Sequence, residues 1–176
     1  MIWMAIFILV FCFSFVVFIG PPYLPTLTPQ VKAALDLLDL KPGQTVLELG
    51  CGDGKVLVAA AQRGWKVVGI EINPILVLVC RVRTWRYRKL VTVKMGNYWN
   101  TKLWGKASES DAMFGFVLPK YMAKLDKLIG EWRSGLSQES VPHTSDKLFK
   151  LASFAFKIPG KKIDRQDQGV FLYVYR

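Results

Sequence analysis

The sequence is poor in the residues that build metal sites, disulfide networks and hydrolytic triads. Its 176 residues include one histidine, His143, and three dispersed cysteines, Cys12, Cys51 and Cys80. There is no C-x-x-C metal spacing, and a lone histidine in a polar loop has no partners for a Ser-His-Asp triad. Acidic residues are also few: 13 Asp and Glu stand against 24 Lys and Arg, a formal net charge of +11. This charge favours anionic lipid head groups, an acidic partner or RNA.

Charged side chains are missing altogether from residues 1–31, and residues 2–19 form an almost unbroken apolar run. About 18 helical residues reach ~27 Å, enough to cross a hydrocarbon core. A cleaved signal peptide is disfavoured, because no basic segment precedes the run and no small-x-small site follows it. We therefore predict a transmembrane anchor over residues 1–20, a proline-rich link over 21–29 and one folded domain over 30–176. The positive-inside tendency places that domain on the cytoplasmic or matrix side of the membrane.

Residues 46–55 predict a nucleotide-binding turn. They read VLELGCGDGK, an apolar strand with one acidic residue followed by glycine at alternate positions, Gly50, Gly52 and Gly54. Such glycines allow positive φ angles and let backbone amides approach a ligand closely. A second predicted strand, residues 65–70, leads into Glu71, where a carboxylate can accept hydrogen bonds from two ribose hydroxyls.

Strands and helices alternate along the rest of the chain. The predicted strands span residues 46–49, 65–70, 91–95, 111–117, 148–156 and 170–175, and the predicted helices span 28–38, 55–63, 74–89 and 119–129. Asn73 is expected to cap the third helix, with Pro74 at its tolerated first position. Residues 130–146 predict a polar surface excursion, and residues 157–168 are too few for the usual helix plus strand. The alternation predicts an α/β fold with a parallel, doubly wound sheet.

The glycine spacing distinguishes two nucleotide-binding families. A dinucleotide-binding turn reads G-x-G-x-x-G, whereas this chain has G-x-G-x-G with Glu48 two positions before the first glycine. The pattern resembles class I S-adenosylmethionine (SAM) methyltransferases, and a dehydrogenase-like or cofactor-free Rossmann domain is the alternative. The resemblance implies a Rossmann-like sheet, mostly parallel with the last strand antiparallel, and SAM as the cofactor. It also implies that Glu71 holds the ribose and that the methionine end is held by Glu48, Gly50, Cys51, Gly52, Asp53 and Gly54.

Ligands of open α/β sheets collect at the carboxyl ends of the strands. Here that edge holds residues 48–54, 71–73 with Asn73, 96–99 and 114–121. By the same resemblance Asn97 and Tyr98 flank the adenine, although Asn97 fits a turn residue equally well. Within the same resemblance, enzymes that methylate adenine N6 or glutamine amides carry an Asn/Asp-Pro-Pro-Tyr motif after the fourth strand, and enzymes that methylate pyrimidine C5 use a catalytic cysteine. This chain has neither feature there. Its residues in that segment are aromatic and apolar, so we expect an aromatic, apolar acceptor site.

An aromatic, apolar slot suits an amine acceptor, because it disfavours the charged form of a lysine and lowers its pKa from ~10.4. Methyl transfer then depends mainly on alignment and desolvation. The candidate slot residues are Tyr23, Phe116, Pro119 and Tyr121, each of which also fits ordinary core packing.

Several short matches outside the glycine turn narrow the resemblance. In order they are Pro22-Tyr23-x-Pro25-Thr26, Gly69-Ile70-Glu71-Ile72-Asn73-Pro74, the Arg81/Trp85/Arg86 stretch, Tyr98-Trp99, and Phe116-x-x-Pro119 with Met122 and Leu125. Together they resemble the small membrane-anchored protein-lysine methyltransferases typified by the ATP synthase c-subunit lysine methyltransferase. This resemblance implies that Tyr23 and Thr26 close over the cofactor. The chain departs from that family at Asn97, where members carry an acid.

The sequence therefore predicts a membrane-tethered, SAM-dependent protein-lysine N-methyltransferase that acts on a membrane-associated protein and contacts the bilayer through residues 2–19. An RNA methyltransferase is the alternative that the positive charge favours. A SAM-binding membrane protein without turnover is the alternative that Asn97 and the short end of the fold favour. The basic stretch 81–89 fits a solvated helix face, a lipid contact or an RNA contact.

Overall fold

A single sheet organises the part of the chain that the computed structural model describes, residues 2–4, 6–7, 26–106, 109–134 and 148–175. Its strands are β1 (Thr45–Leu49), β2 (Lys66–Glu71), β3 (Val91–Met95), β4 (Ala112–Gly115), β5 (Phe149–Phe154), β6 (Arg165–Asp167) and β7 (Val170–Tyr175), in the order β3-β2-β1-β4-β5-β7-β6. The first five strands pair in parallel, and β7 pairs antiparallel with both β5 and β6. This arrangement confirms the predicted mostly parallel sheet with an antiparallel last strand.

Helices cover both faces of the sheet. They are α1 (Thr28–Leu38), α2 (Lys55–Gln62), α3 (Pro74–Thr84) and α4 (Met122–Ser134), with 3₁₀ turns at Trp85–Tyr87, Thr101–Trp104 and Pro119–Tyr121. Val46 of β1 packs in the core shared with α1 and α2, whereas Leu47 packs in the core shared with α4. Because strand side chains alternate, Glu48 lies on the α1 and α2 face. Burial on both faces explains why β1 reads as a nearly continuous apolar run.

The third helix ends earlier than predicted. The expectation of a helix over residues 74–89 was wrong beyond Thr84, where the chain tightens into the 3₁₀ turn. The Thr84 hydroxyl donates to the carbonyl of Cys80 at 2.8 Å, a local bond of the kind that competes with regular helix geometry. The predicted cap is confirmed, because the Asn73 side chain accepts hydrogen bonds from the N–H groups of Ile75 and Leu76.

Boundaries around β4 and α4 also differ from the prediction. The strand predicted over 111–117 is reduced to Ala112–Gly115, and just before it the Asp111 carboxylate accepts hydrogen bonds from the side-chain amide of Gln44 and the N–H of Thr45. The helix predicted over 119–129 begins as a 3₁₀ turn and continues to Ser134. The polar excursion therefore begins later than residue 130. Residues 135–147, including His143, lie outside the described part of the chain.

The short strand β6 was missed. It lies inside the interval 157–168 that looked too short for a structural unit, and it forms a hairpin with β7. Gln168 and Gly169 connect the two strands with φ angles of 48° and 75°, and two successive positive φ angles are typical of the tight turns that suit twisted hairpins. A three-residue hairpin strand needs no crossover helix, which explains how so short an interval completes the sheet.

The predicted anchor and link fall mostly outside the described residues, as does Tyr23. Ile2, Trp3, Met4, Ile6 and Phe7 are helical and exposed. Within the described ranges, no helix has both the length and the apolar character that a bilayer crossing requires.

Candidate active site

The glycine turn between β1 and α2 adopts the backbone that its sequence predicts. Gly50, Gly52 and Gly54 have φ angles of 76°, 52° and 80°, a region that side-chain-bearing residues rarely adopt. A Cβ on Gly50 would meet no atom within 4 Å, whereas a Cβ on Gly54 would lie 2.6 Å from the Sγ atom of Cys80. Conformation alone therefore selects glycine at position 50, and conformation together with crowding selects it at position 54.

The carboxylate of Glu71 joins this turn to the turn that follows β2. One oxygen accepts the N–H of Gly52 at 2.9 Å, and the other accepts the N–H groups of Ile72 and Asn73, both at 2.9 Å. Three backbone donors hold a side chain that is 7% exposed. Since a carboxylate has about four acceptor positions, Glu71 keeps acceptor capacity toward a ligand while fixing the relative position of both turns.

Glu48 is buried beneath the same turn and lacks a complete set of partners. The side chain is 4% exposed, and its Oε2 atom makes no hydrogen bond among the described residues. Burial first, and then the nearby Cys80, Asp53 and Glu71, raise the pKa of Glu48 well above its usual value. A buried acceptor that is unsatisfied in the empty protein fits a site for a cationic or hydrogen-bond-donating group.

Asp53 and Thr26 are both brought to the edge of the glycine turn. The Asp53 carboxylate pairs with the guanidinium of Arg83 on α3 and accepts the N–H of Lys55 at 3.2 Å. The Lys55 ammonium donates to the Thr26 carbonyl at 3.0 Å. The turn is thus connected on one side to α3 and on the other to the segment that enters α1.

The cysteine of the turn packs under it. The Sγ atoms of Cys51 and Cys80 are 3.9 Å apart, and both residues are buried and free. Their mutual hydrogen bond and burial raise the pKa of Cys51. The two side chains therefore pack between the turn and α3, and residue 51 presents its backbone to the site.

Asn73 and Asn97, which follow β2 and β3, both use their side chains to accept backbone hydrogen bonds from the residues just after them. Asn73 is 3% exposed, and its side-chain oxygen caps α3. The Asn97 side-chain oxygen accepts the N–H of Trp99 at 3.0 Å, which is the turn role that the sequence left open. The adenine contact of Asn97 stays a prediction.

An aromatic cluster follows β3 and β4. The rings of Tyr98 and Trp99 have centroids 4.9 Å apart, and Trp99 meets Tyr121 edge-on at 5.5 Å. The ammonium of Lys124 lies 4.4 Å from the centre of a Trp99 ring. Burial, followed by the neighbouring Tyr121 and Glu71, raises the pKa of Tyr98. Tyr98 therefore belongs to the aromatic cluster and lies within electrostatic reach of Glu71.

The remaining slot candidates occupy a second aromatic group. Phe116 packs at 5.0 Å from Phe154 and stacks at 5.8 Å from Phe156. Pro119 is exposed at the start of a 3₁₀ turn. The structure thus brings Tyr121 to Tyr98 and Trp99, while Phe116 joins the aromatic side chains that follow β5.

Sequence reasoning missed Gln30, Trp99 and Lys124 as site residues. Gln30 lies four residues after Thr26 in the first turn of α1, and its side-chain oxygen is buried without a hydrogen-bond partner in the described structure. Glu48 is the other residue with such an atom. The Tyr98-Trp99 pair in the sequence could have indicated Trp99. No sequence signal indicates the unsatisfied oxygen of Gln30 or the position of Lys124 over the Trp99 ring, because both depend on how the elements pack.

The site therefore offers the unsatisfied buried carboxylate of Glu48 and a glycine turn with positive φ angles. It also offers the Glu71 carboxylate at the end of β2, which three backbone N–H groups hold, and an aromatic surface. Among the described residues no group of three or more His, Cys, Asp and Glu side chains is arranged for a metal ion.

Comparison with known proteins identifies the relatives of this arrangement. The family model of the ANTKMT methyltransferase domain matches residues 48–164. The ATP synthase c-subunit lysine N-methyltransferase of Homo sapiens is 33% identical over 107 residues, which cover 60% of this chain and 44% of that protein. Its Xenopus laevis counterpart is 46% identical over 65 residues, which cover 37% of this chain and 28% of that protein. The matched part is less than half of either relative's length.

A solved structure resembles almost the whole described domain. The RNA methyltransferase from Salinibacter ruber, crystallised with S-adenosyl-L-homocysteine, aligns with a TM-score of 0.67 at 27% identity, over 86% of this chain and 92% of that chain. The family match covers more than half of the chain and contains the glycine turn, Glu71 and the aromatic cluster. The chain therefore belongs to the ANTKMT methyltransferase domain family.

Proposed function

We propose that this protein is a SAM-dependent protein-lysine N-methyltransferase that acts on a membrane-associated protein. The observation that carries this function is the family match over residues 48–164, which includes the unsatisfied Glu48 carboxylate and the glycine turn above it. Two curated relatives of this chain are named as lysine N-methyltransferases. No described side chain offers the motifs of adenine or pyrimidine-carbon methylation.

The residues present fit SAM. The unsatisfied Oε2 of Glu48 suits the cationic amino group at the methionine end, and the open space at Gly50 leaves room for that end beside the backbone. Glu71 retains acceptor capacity for ribose hydroxyls, and we assign Tyr98 to the adenine side, because it follows the neighbouring strand β3. When bound, SAM supplies an electrophilic methyl group on a sulfonium centre.

The aromatic cluster fits the acceptor amine. Tyr98, Trp99 and Tyr121 form a partly buried apolar surface at the carboxyl ends of β3 and β4. Such a surface favours the neutral form of a lysine side chain, because the charged form loses hydration there. The Lys124 ammonium over Trp99 adds a positive charge beside this surface, which further disfavours the protonated form of an acceptor lysine. The lysine ammonium first loses a proton to water, and the neutral amine then attacks the methyl group. The chain's contribution is to align and desolvate that amine.

We also assign residues 2–19 to a membrane anchor, with the domain on the cytoplasmic or matrix side. The support is the uncharged apolar run and the placement of all 24 Lys and Arg after it. A tethered enzyme and a membrane-embedded target share one surface, which raises their effective concentration.

RNA methylation is the second candidate. The Salinibacter ruber RNA methyltransferase aligns over most of this chain, and the net charge of +11 suits a polyanion. The two candidates share the cofactor site and differ in the acceptor.

The experiment is incubation of the full-length protein with methyl-labelled SAM and separate membrane, ribosome and RNA fractions. We expect label in protein of the membrane fraction. Glu48→Gln should reduce this incorporation, whereas the matched surface change Glu131→Gln on α4 should leave it unchanged. Label recovered in RNA would contradict the lysine assignment and support RNA methylation instead. SAM binding without labelling of any fraction would indicate a binding protein without turnover.

A further inference from the structure

Helix α3 exposes an apolar stripe on the side that faces away from the sheet. Its inward side is formed by Val77, Cys80 and Thr84, which are buried. On the opposite side Leu78 is 64% exposed, Val79 43%, Val82 69% and Trp85 69%. Positions 78, 82 and 85 follow the spacing that aligns side chains along one helix face. We refer to Leu78, Val79, Val82 and Trp85 as the α3 outer stripe.

Arginines border this stripe on both sides. With about 100° between successive helical residues, Arg81 falls on one border of the stripe and Arg83 on the other, while Arg86 and Arg88 follow in and just after the 3₁₀ turn at Trp85–Tyr87. The Arg88 guanidinium lies over the Trp85 ring, 5.2 Å from its centroid. A guanidinium stacked on an aromatic face keeps its N–H edge available to an anionic oxygen. An apolar stripe with Arg81, Arg86 and Arg88 beside it is therefore presented to the surroundings, whereas Arg83 is already paired with Asp53.

Two of the arginines also fasten α3 to the domain. Arg83 pairs with Asp53 in the glycine turn, and Arg81 donates to the Val93 carbonyl of the edge strand β3 at 3.3 Å. The outer stripe is thus on a helix that is fixed to the edge strand by Arg81 and, near its end, to the glycine turn of the candidate site by Arg83. A contact made by this stripe would orient the site with respect to the surface that is contacted.

We propose that the α3 outer stripe docks on an anionic lipid bilayer, lying in the plane of the head groups. Three aliphatic side chains and a tryptophan match the apolar boundary of a bilayer, and the flanking arginines match lipid phosphates. Charge complementarity and the Trp85 ring would also suit RNA, but the other three side chains of the stripe, Leu78, Val79 and Val82, provide no stacking surface for bases. The membrane anchor proposed above for residues 2–19 would hold the domain beside a bilayer, where such a stripe can reach the head groups. The docking surface goes beyond the methyltransferase function and does not depend on it.

The test measures how deeply α3 lies in a bilayer, in the full-length protein. Cys12→Ser removes the cysteine of the apolar run, and Cys51 and Cys80 are buried. Val82→Cys and, separately, Leu78→Cys then supply label positions in the stripe for an environment-sensitive fluorophore. Ala123→Cys supplies a matched label on α4, which covers the other face of the sheet. The labelled proteins are reconstituted in phosphatidylcholine vesicles with or without phosphatidylserine, and a lipid-borne nitroxide serves as quencher.

We expect nitroxide quenching at positions 78 and 82 to exceed that at position 123 several-fold when phosphatidylserine is present. Arg81→Gln with Arg86→Gln, or high salt, should reduce the difference. Equal quenching at all three positions, or quenching independent of phosphatidylserine, would overturn the assignment. A label at position 82 that responds to single-stranded RNA but not to vesicles would assign the stripe to nucleic acid and would also overturn it. If the stripe does not dock but the protein still transfers labelled methyl groups to the membrane fraction, only the docking proposal fails and the proposed function stands.

Discussion

At the scale of single residues, Glu48 is the most unusual side chain of the site. It is buried among other acidic and thiol groups, with one oxygen that no described donor satisfies. An unsatisfied carboxylate of this kind is costly for the empty protein and useful for a cationic ligand. Position 48 is therefore where stability and binding are expected to oppose each other.

We expect Glu48→Gln to stabilise the empty protein at neutral pH and to weaken SAM binding by roughly ten- to a hundred-fold. The amide removes a buried charge, but it also removes the charge-assisted bond to the ligand's amino group. Thermal unfolding and calorimetry measure the two effects, with Glu131→Gln as the control. Loss of stability together with unchanged affinity would contradict this role.

The raised pKa of Glu48 also predicts how stability depends on pH. The folded protein holds the proton more tightly than the unfolded chain does, so this group's contribution is fully present below the ordinary pKa of 4.5. It is lost as the pH rises toward the folded-state pKa, at most about 1.4 kcal/mol per pH unit. Denaturant titrations of the cofactor-free protein at several pH values should show this decline, and Glu48→Gln should flatten it. Identical pH profiles for the two proteins would contradict the burial argument.

Gly54 provides a second test at this scale. Alanine there must adopt a φ of 80° and place its Cβ 2.6 Å from the Cys80 Sγ, so we expect Gly54→Ala to lower the free energy of unfolding by about 1–3 kcal/mol. Gly130→Ala is the matched control, since Gly130 is an exposed helical residue with no atom within 4 Å of an added Cβ. It should raise stability by up to about 1 kcal/mol. Adding Cys80→Ala should recover part of the Gly54→Ala loss; no recovery would show that backbone strain accounts for the whole effect.

At the scale of elements, Glu71 connects the turn after β1 to the turn after β2. Glu71→Ala leaves the N–H groups of Gly52, Ile72 and Asn73 without their acceptor. We therefore expect SAM affinity to fall by roughly ten- to a hundred-fold and the protein to become less stable. Calorimetry combined with denaturant unfolding separates the two losses. Unchanged affinity would remove Glu71 from the cofactor site.

A comparison of the predicted and observed helices and strands shows which of them have local signals in the sequence. Strands β3 and β7 and the start of α3 were predicted at their observed residues, because runs of β-branched or bulky apolar residues and an Asn-Pro cap are local signals. The hairpin strand β6 was missed, because a three-residue strand has almost no pattern of its own and forms only against β7. The end of α3 was misplaced, because the Thr84 hydroxyl bond competes with a helix that side-chain periodicity alone would extend.

The candidate site divides in the same way. The glycine turn and Glu71 could be predicted, because backbone conformation and strand-end position determine residue type. The unsatisfied oxygen of Gln30 and the cation over Trp99 arise from packing between elements that are distant in sequence. A sequence contains the donors and acceptors, and only the folded chain determines which of them remain without partners.

At the scale of the whole molecule, the chain separates an uncharged apolar beginning from a strongly basic domain. If residues 2–19 act only as an anchor, deleting them should leave SAM affinity unchanged, because the turns and the sheet lie beyond residue 25. Methylation of a membrane-embedded target should slow, while methylation of a soluble peptide should not, since only the former gains effective concentration from the tether. Equal losses on both substrates would mean that the segment belongs to the fold or the site.

The central claim is that the methyl group goes to a lysine side chain. The most direct measurement is to label a membrane fraction with methyl-labelled SAM and the full-length protein, hydrolyse the labelled product completely, and identify the modified unit. We predict that the label elutes as N-methylated lysine and that Glu48→Gln abolishes most of it. Label recovered as a methylated nucleoside, or in an amino acid other than lysine, would contradict the proposed function.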